Sequence, residues 1–163
     1  MKCLLCNAQM KTKRENFRYD ACGLPNVTLR NVEVSRCPKC GEYEVAIPQI
    51  EDLHKAIAQA LIKKPSRLHA AEVRYLRKYL GWSGADFAAH MGTTRETVSR
   101  WENGDMPIGP TADRLLRLMV VTKTPADDYS LDLLTTIAKE QKTARLGVSR
   151  DEEGWHAEVA EAA

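Results

Sequence analysis

The chain has 163 residues and a mass of 18.3 kDa, room for one domain or two small ones and too little for a large barrel enzyme. Hydrophobic residues make up 44% and charged residues 28%, with only 9 glycines and 7 prolines, which excludes a collagen-like or wholly disordered chain. Apolar runs such as Leu115–Val121 are broken by charge far short of the roughly 18 apolar residues of a membrane span, and residues 1–10 hold one Lys and two Cys where a signal peptide needs an apolar run. A soluble, cytoplasmic protein with no membrane partner is expected.

The 24 basic and 22 acidic residues are unevenly spread. Residues 1–50 carry 8 basic and 5 acidic side chains, residues 63–123 carry 11 and 6, and residues 124–163 carry 4 and 9. A basic middle followed by an acidic end suits a polyanion-binding module with a solvated tail.

Four of the five cysteines form two Cys-x-x-Cys pairs, Cys3/Cys6 and Cys37/Cys40. A two-residue spacer lets both sulfurs of a pair converge while the intervening amides turn toward them, and two pairs supply a tetrahedral shell for Zn²⁺. Asn7 after the first pair, and Pro38 and Gly41 around the second, suit the tight turns required. With all four positions thiolate-filled, the expected site holds one structural Zn²⁺, closed to water and without a reaction of its own. Redox-active disulfides are the rival reading, disfavoured by two matched pairs in one short segment. Cys22 stands alone and reads as a buried or half-buried thiol.

Between the pairs, Val27 and Leu29 alternate, then Val32 and Val34, with a change of phase at Asn31 that predicts a bulge or turn. Phe17–Tyr19 and Glu42–Ile47 read as further strands, so residues 1–48 are expected to form a zinc-clamped antiparallel sheet. In residues 49–65, Ile50, Leu53, Ile57, Ala60 and Leu61 recur at helical spacing and predict a linker helix.

Residues 66–122 read as short helices with sharp joints. Ser66 caps a helix through Leu68, Val73, Leu76 and Leu80 that stops at Gly81, and Ser83 caps a second over Ala85–Met91 that ends at Gly92. Thr93 or Thr94 caps a third through Trp101 and Glu102, and Pro110-Thr111 opens a fourth containing Leu115, Leu116, Leu118 and Met119. Ala88, Gly92 and Val98 have the spacing of a helix-turn-helix: a small residue for close approach, a positive-φ turn, and a branched plug beneath the third helix. With Val98 and Trp101 turned inward, Arg95, Glu96, Ser99 and Arg100 face outward. Arg100 is the expected base reader, since a guanidinium bridges guanine O6 and N7. Arg95 is expected on a base or phosphate and Glu96 on cytosine N4 or as a discriminator, with Thr94, Thr97 and Asn103 as phosphate anchors.

The stretch Leu80–Gly104, above all Val-Ser-Arg-Trp-Glu-Asn-Gly, resembles the XRE, or lambda-repressor-like, DNA-binding domain. Together with the amino-terminal cysteine pairs, residues 1–122 are similar to MqsA-type antitoxins with a YgiT-type zinc finger. One departure is Gly84, where the XRE pattern usually has a phosphate-contacting Gln. The resemblance implies a zinc segment that holds a toxin protein from the same operon, and a helix-turn-helix segment that dimerises and represses its own near-palindromic double-stranded operator. A stand-alone XRE-family regulator with a structural or redox-sensing zinc domain is the alternative.

In residues 123–163, Ser130, Leu131, Leu134, Ile137 and Ala138 predict a helix, and the remainder an acidic, solvated tail in which Trp155-His156 is a possible partner anchor. The four histidines are scattered away from any Ser or Cys nucleophile, so no enzyme is expected. The fold class is α+β: a small zinc-clamped antiparallel β domain followed by an all-α lambda-repressor-like domain.

Overall fold

A computed structural model describes residues 1–123, 129–130, 133 and 135–161. Strand β1 (Lys11–Arg18) pairs antiparallel with β2 (Val27–Arg36), and β3 (Tyr43–Val45) pairs antiparallel with the far end of β2. The predicted change of phase at Asn31 is a bulge. Asn31 takes a φ of +54°, and the register moves from Glu15 opposite Val32 to Phe17 opposite Leu29, leaving an extra residue on β2. The insertion returns Leu29 and Val27 to the face occupied by Val32 and Val34, and all four are buried.

Helix α1 (Ile50–Lys63) lies across that face and buries Leu53, Ala56, Ile57, Ala60, Leu61 and Ile62. It touches the sheet and also α2 (Ala70–Tyr79) and α5 (Pro110–Lys123), and is therefore a shared core element instead of the expected linker. One apolar core runs without interruption from Tyr19 through α1 to Trp101 and Val120. Between α2 and α5 lie α3 (Gly84–Met91) and α4 (Arg95–Asn103).

The expected start of α2 at Ser66 is displaced. Ser66 and Arg67 form β4, which pairs in parallel with β5 (Ala138–Gln141), and the helix begins after His69, whose amide donates to Glu72 at 2.8 Å. Glu72 at the third helical position is an N-terminal acceptor in its own right, and the Leu68 amide is claimed by Asp113.

The largest difference from expectation lies at the carboxyl end. Leu131 and Leu134 of the predicted helix lie outside the described residues, and Ala138 belongs to β5. The acidic tail is a hairpin: β6 (Ala144–Asp151) and β7 (Gly154–Glu161) are antiparallel, and β6 runs parallel to β2, giving the order β1-β2-β6-β7. Ala144, Leu146 and Val148 point into the core while Arg145 and Ser149 do not, the alternation of a half-buried strand. The turn needs Gly154, whose φ is +128° and whose position for a Cβ is crowded by the Asp52 carboxylate, which accepts the Trp155 amide at 3.0 Å. Trp155 is buried against the start of α1 and donates its indole N–H to the Pro48 carbonyl at 2.9 Å, an anchor within the chain.

Four charged side chains are buried where these parts meet. Lys64 donates to Glu72 at 2.5 Å and to the Lys142 carbonyl at 2.6 Å, and Glu72 also accepts the Ala144 amide at 2.9 Å. Arg117 bonds Asp113 at 2.7 Å and donates to the carbonyls of Ile62, Lys64 and Ser66. Burial lowers the Lys64 pKa, and the facing Glu72 carboxylate opposes that shift. Breaking a buried pair leaves an uncompensated charge. Asp113→Ala is therefore expected to cost about 3–5 kcal/mol of stability in denaturant unfolding; a loss within about 0.5 kcal/mol, typical of a surface substitution, would refute that role.

Candidate nucleic-acid interface and metal centre

The sharp joint between α3 and α4 is set by local chemistry. Ser83 caps α3, its hydroxyl accepting from the Asp86 amide at 3.1 Å while the Asp86 carboxylate accepts from the Ser83 amide at 3.0 Å. Gly92 ends α3 with a φ of +64°, a conformation that favours glycine. Thr94 then caps α4, its hydroxyl accepting from the Thr97 amide at 3.2 Å. Ala88 and Val98 are buried between the two helices, as the helix-turn-helix spacing predicts.

Trp101 packs edge-on to Phe87 at 6.4 Å between centroids, so the inner side of α4 is fixed by Val98 and Trp101. On the outer side Thr94, Arg95, Glu96, Ser99, Arg100 and Asn103 are exposed and Thr97 is half-buried. Among the described residues neither Arg95 nor Arg100 forms an ion pair, and the first-turn amides of Arg95 and Glu96 lie at the helix terminus, outside the intrahelical ladder. Asn103 is already engaged: its amide donates to Ser99 at 3.2 Å and its oxygen accepts from Arg74 at 3.0 Å.

Two residues outside the predicted set hold α4 in place. Arg77 on α2 grips Glu102 with two bonds, 2.5 and 3.0 Å, and donates to the Trp82 carbonyl at 2.8 Å. Arg74 donates to the Glu102 carbonyl at 2.8 Å. Bidentate pairing fixes orientation as well as distance, so α2 locks the carboxyl end of α4. A signal was available in Arg74 and Arg77 three residues apart on α2, but periodicity does not say which acidic residue they meet.

The four paired cysteines converge beyond the sheet. Cys3 and Cys40 sulfurs lie 3.5 Å apart, Cys6 and Cys37 sulfurs 3.3 Å, and all four within 4.8 Å of one another. A tetrahedron with metal–sulfur bonds of about 2.3 Å has edges of about 3.8 Å, so the set fits Zn²⁺. The two turns are built alike. In the first, the Cys3 amide donates to the Ala8 carbonyl and the Asn7 amide to the Cys3 carbonyl; in the second, Cys37 bonds Glu42 and Gly41 bonds Cys37 in the same way. Asn7 and Gly41 occupy equivalent left-handed positions, φ +58° and +78°. The turns thus use Asn and Gly for one steric reason.

Backbone amides of Cys40, then Lys39, pull the Cys37 thiol down to about 6. At Cys6 the Ala8 amide also lowers the pKa, but the bond to Cys37, burial and the other two thiols outweigh it and push the value up to about 12. Four sulfurs this close do not all ionise without a cation among them. Cys3, Cys6 and Cys37 pack with Met10 and Ala8 in a cluster separate from the main core. Cys22, half-buried, instead donates to the Tyr19 carbonyl at 3.3 Å, and burial raises its pKa.

Residues 73–129 match the family model for the helix-turn-helix domain, a stretch that takes in α3, α4 and α5. The chain therefore carries an XRE-type helix-turn-helix, a DNA-binding regulator domain. No curated protein matches the chain. Among the described residues no helix is long and apolar enough to cross a membrane.

Elemental analysis of the purified chain is expected to return one zinc per chain, and Cys37→Ala to abolish it; a chain that is fully folded and metal-free under reducing conditions would refute the structural-zinc assignment.

Proposed function

We propose that this protein is a zinc-stabilised transcriptional repressor that reads its own operator with α4 and acts as the antitoxin of a type II toxin–antitoxin pair. The observation that carries the DNA-reading part is the two-sidedness of α4: Val98 and Trp101 are buried, whereas Arg95, Glu96, Ser99 and Arg100 face water. In a helix-turn-helix the helix at this position enters the major groove amino-terminus first. Arg100 then reads guanine through two hydrogen bonds, Arg95 meets a base or phosphate, and Glu96 accepts from cytosine or rejects other bases. Thr94 and Thr97 sit at the helix start, where phosphate approaches the amides, and Ser99 and Asn103 extend the contact along the groove wall. Gly84 offers no side chain where the family pattern usually places a phosphate-binding Gln, so these contacts carry more of the positioning.

Two apolar surfaces support the partners in this reading. Leu115, Leu118 and Met119 of α5, with Trp82 just before α3, form a half-exposed apolar face suited to a second copy, and a dimer formed there presents two α4 helices to a near-palindrome. Met1, Leu4, Leu5 and Tyr43, four of the five exposed large hydrophobic residues described, belong to the zinc segment, and Leu4 is 95% exposed. Apolar groups held in water by a rigid metal knuckle suit a protein partner, here the toxin.

Arg100→Ala is expected to weaken specific operator binding by about 1–3 kcal/mol, roughly 5- to 150-fold, and to relax preference at one base pair while leaving thermal stability unchanged. Fluorescence anisotropy at fixed salt checks this, and equal affinity of mutant and wild type would remove Arg100 from the interface. Leu118→Glu is expected to shift sedimentation from dimer to monomer; an unchanged dimer would place the contact elsewhere. Co-purification from the native operon tests the antitoxin assignment: a small co-eluting protein whose toxicity this chain suppresses supports it, and a chain that binds the operator alone leaves a stand-alone regulator.

A further inference from the structure

Strand β2 has two neighbours on one edge. At one end β3 pairs with Val34–Arg36, and at the other β6 pairs with Val27–Leu29. Neither strand runs alongside Arg30–Val32, and the gap between them is a notch through the sheet with a volume of about 590 Å³. Such a volume is typical of small-molecule sites.

The two ends of the notch differ chemically. Its floor reaches the buried side chains of Val32 and Trp155, flanked by Ile47 and Pro48. Because Trp155 has already given its indole N–H to Pro48, it presents only apolar surface. At its mouth stand Arg14 and Arg150, with Glu33 the one carboxylate among the lining residues; Arg30 also lines the notch, but its guanidinium lies beside Gly147 and Glu158, which do not. Arg14 is shared between Glu33 at 3.2 Å and the Asn31 carbonyl at 3.3 Å. Arg30 pairs with Glu158 at 3.4 Å and lies so close over Gly147 that a methyl group there would collide with it. Arg150 bonds a neutral group, Gln49, at 2.7 Å. Positive charge is thus in excess, and one guanidinium has no carboxylate partner among the described residues.

The backbone on both sides is held in a left-handed conformation, Asn31 at φ +54° and Gln49 at +52°. For Gln this is uncommon, and such conformations are maintained where the surrounding structure over-determines them.

We propose that this notch is a binding site for a small organic anion, a carboxylate or phosphate carried on an aromatic or branched aliphatic body. The body fills the floor over Trp155, and the oxyanion replaces the neutral acceptor of Arg150 with a charge-assisted hydrogen bond. The site is distinct from both α4 and the cysteine cluster and does not depend on the DNA-reading assignment.

The test is a ¹⁵N-correlated NMR titration of the full zinc-loaded chain with phenylacetate and phenyl phosphate, and with neutral phenylacetamide as control. The two anions are expected to move the signals of Asn31, Ile47, Gln49 and the Trp155 indole together, with a Kd of roughly 1 mM for a ten-atom ligand. Phenylacetamide, and Arg150→Gln titrated with the anions, are expected to bind about tenfold more weakly or worse. Arg150 is exposed and its side chain bonds Gln49, a neutral group, so this variant is expected to keep the wild-type spectrum elsewhere. Silence of those four signals up to roughly 10 mM of either anion, or equal affinity for the amide, would overturn the proposal.

Discussion

The buried quartet of Lys64, Glu72, Asp113 and Arg117 is the constraint on which the arrangement of the molecule rests. Each member bonds backbone as well as its partner. Arg117 holds the carbonyls at the end of α1, Asp113 the amide leading into α2, Lys64 the carbonyl before β6, and Glu72 the first amide of β6. Charges cannot leave water without such full satisfaction. A small rotation of the helical region against the sheet would strand several of these groups at once, so the quartet selects one relative placement.

The cysteine cluster stands apart from that constraint. It is joined to the sheet through the ends of β2 and β3, but its side chains form a satellite with little apolar mass. Its order comes from turn geometry, and four sulfurs so placed could hold a metal ion. The exposed face of α4, by contrast, is fixed from behind by Trp101, Val98 and the Arg77–Glu102 pair.

Much of this was legible in the residues. Helices with strong punctuation, Ser83 to Gly92 and Thr94 to Gly104, appear where the caps and glycines place them, and the change of phase at Asn31 is the bulge on β2. The cysteine spacing brings together the four sulfurs it names. The carboxyl-terminal hairpin was missed although Ala144, Leu146 and Val148 alternate and Asp-Glu-Glu-Gly marks a turn. Its acidic composition spoke for a solvated tail, and Glu152, Glu153 and Glu158 do occupy exposed positions. The start of α2 was misplaced because Ser66 has the chemistry of a cap, while its backbone is taken by a distant strand. Nothing local marks Lys64 and Glu72 as buried, since the strand segment that covers them lies more than seventy residues later.

The pairing of β6 with β2 orders events during synthesis. Strand β2 and the apolar side of α1 are made before their covering hairpin, which is translated after α1 to α5. Until it arrives the sheet has an open edge and α1 an unshielded flank, so the nascent polypeptide is exposed to association and proteolysis in that interval. The knuckle has its four cysteines between Cys3 and Cys40. Its turns can therefore close before the hairpin that covers α1 has been made.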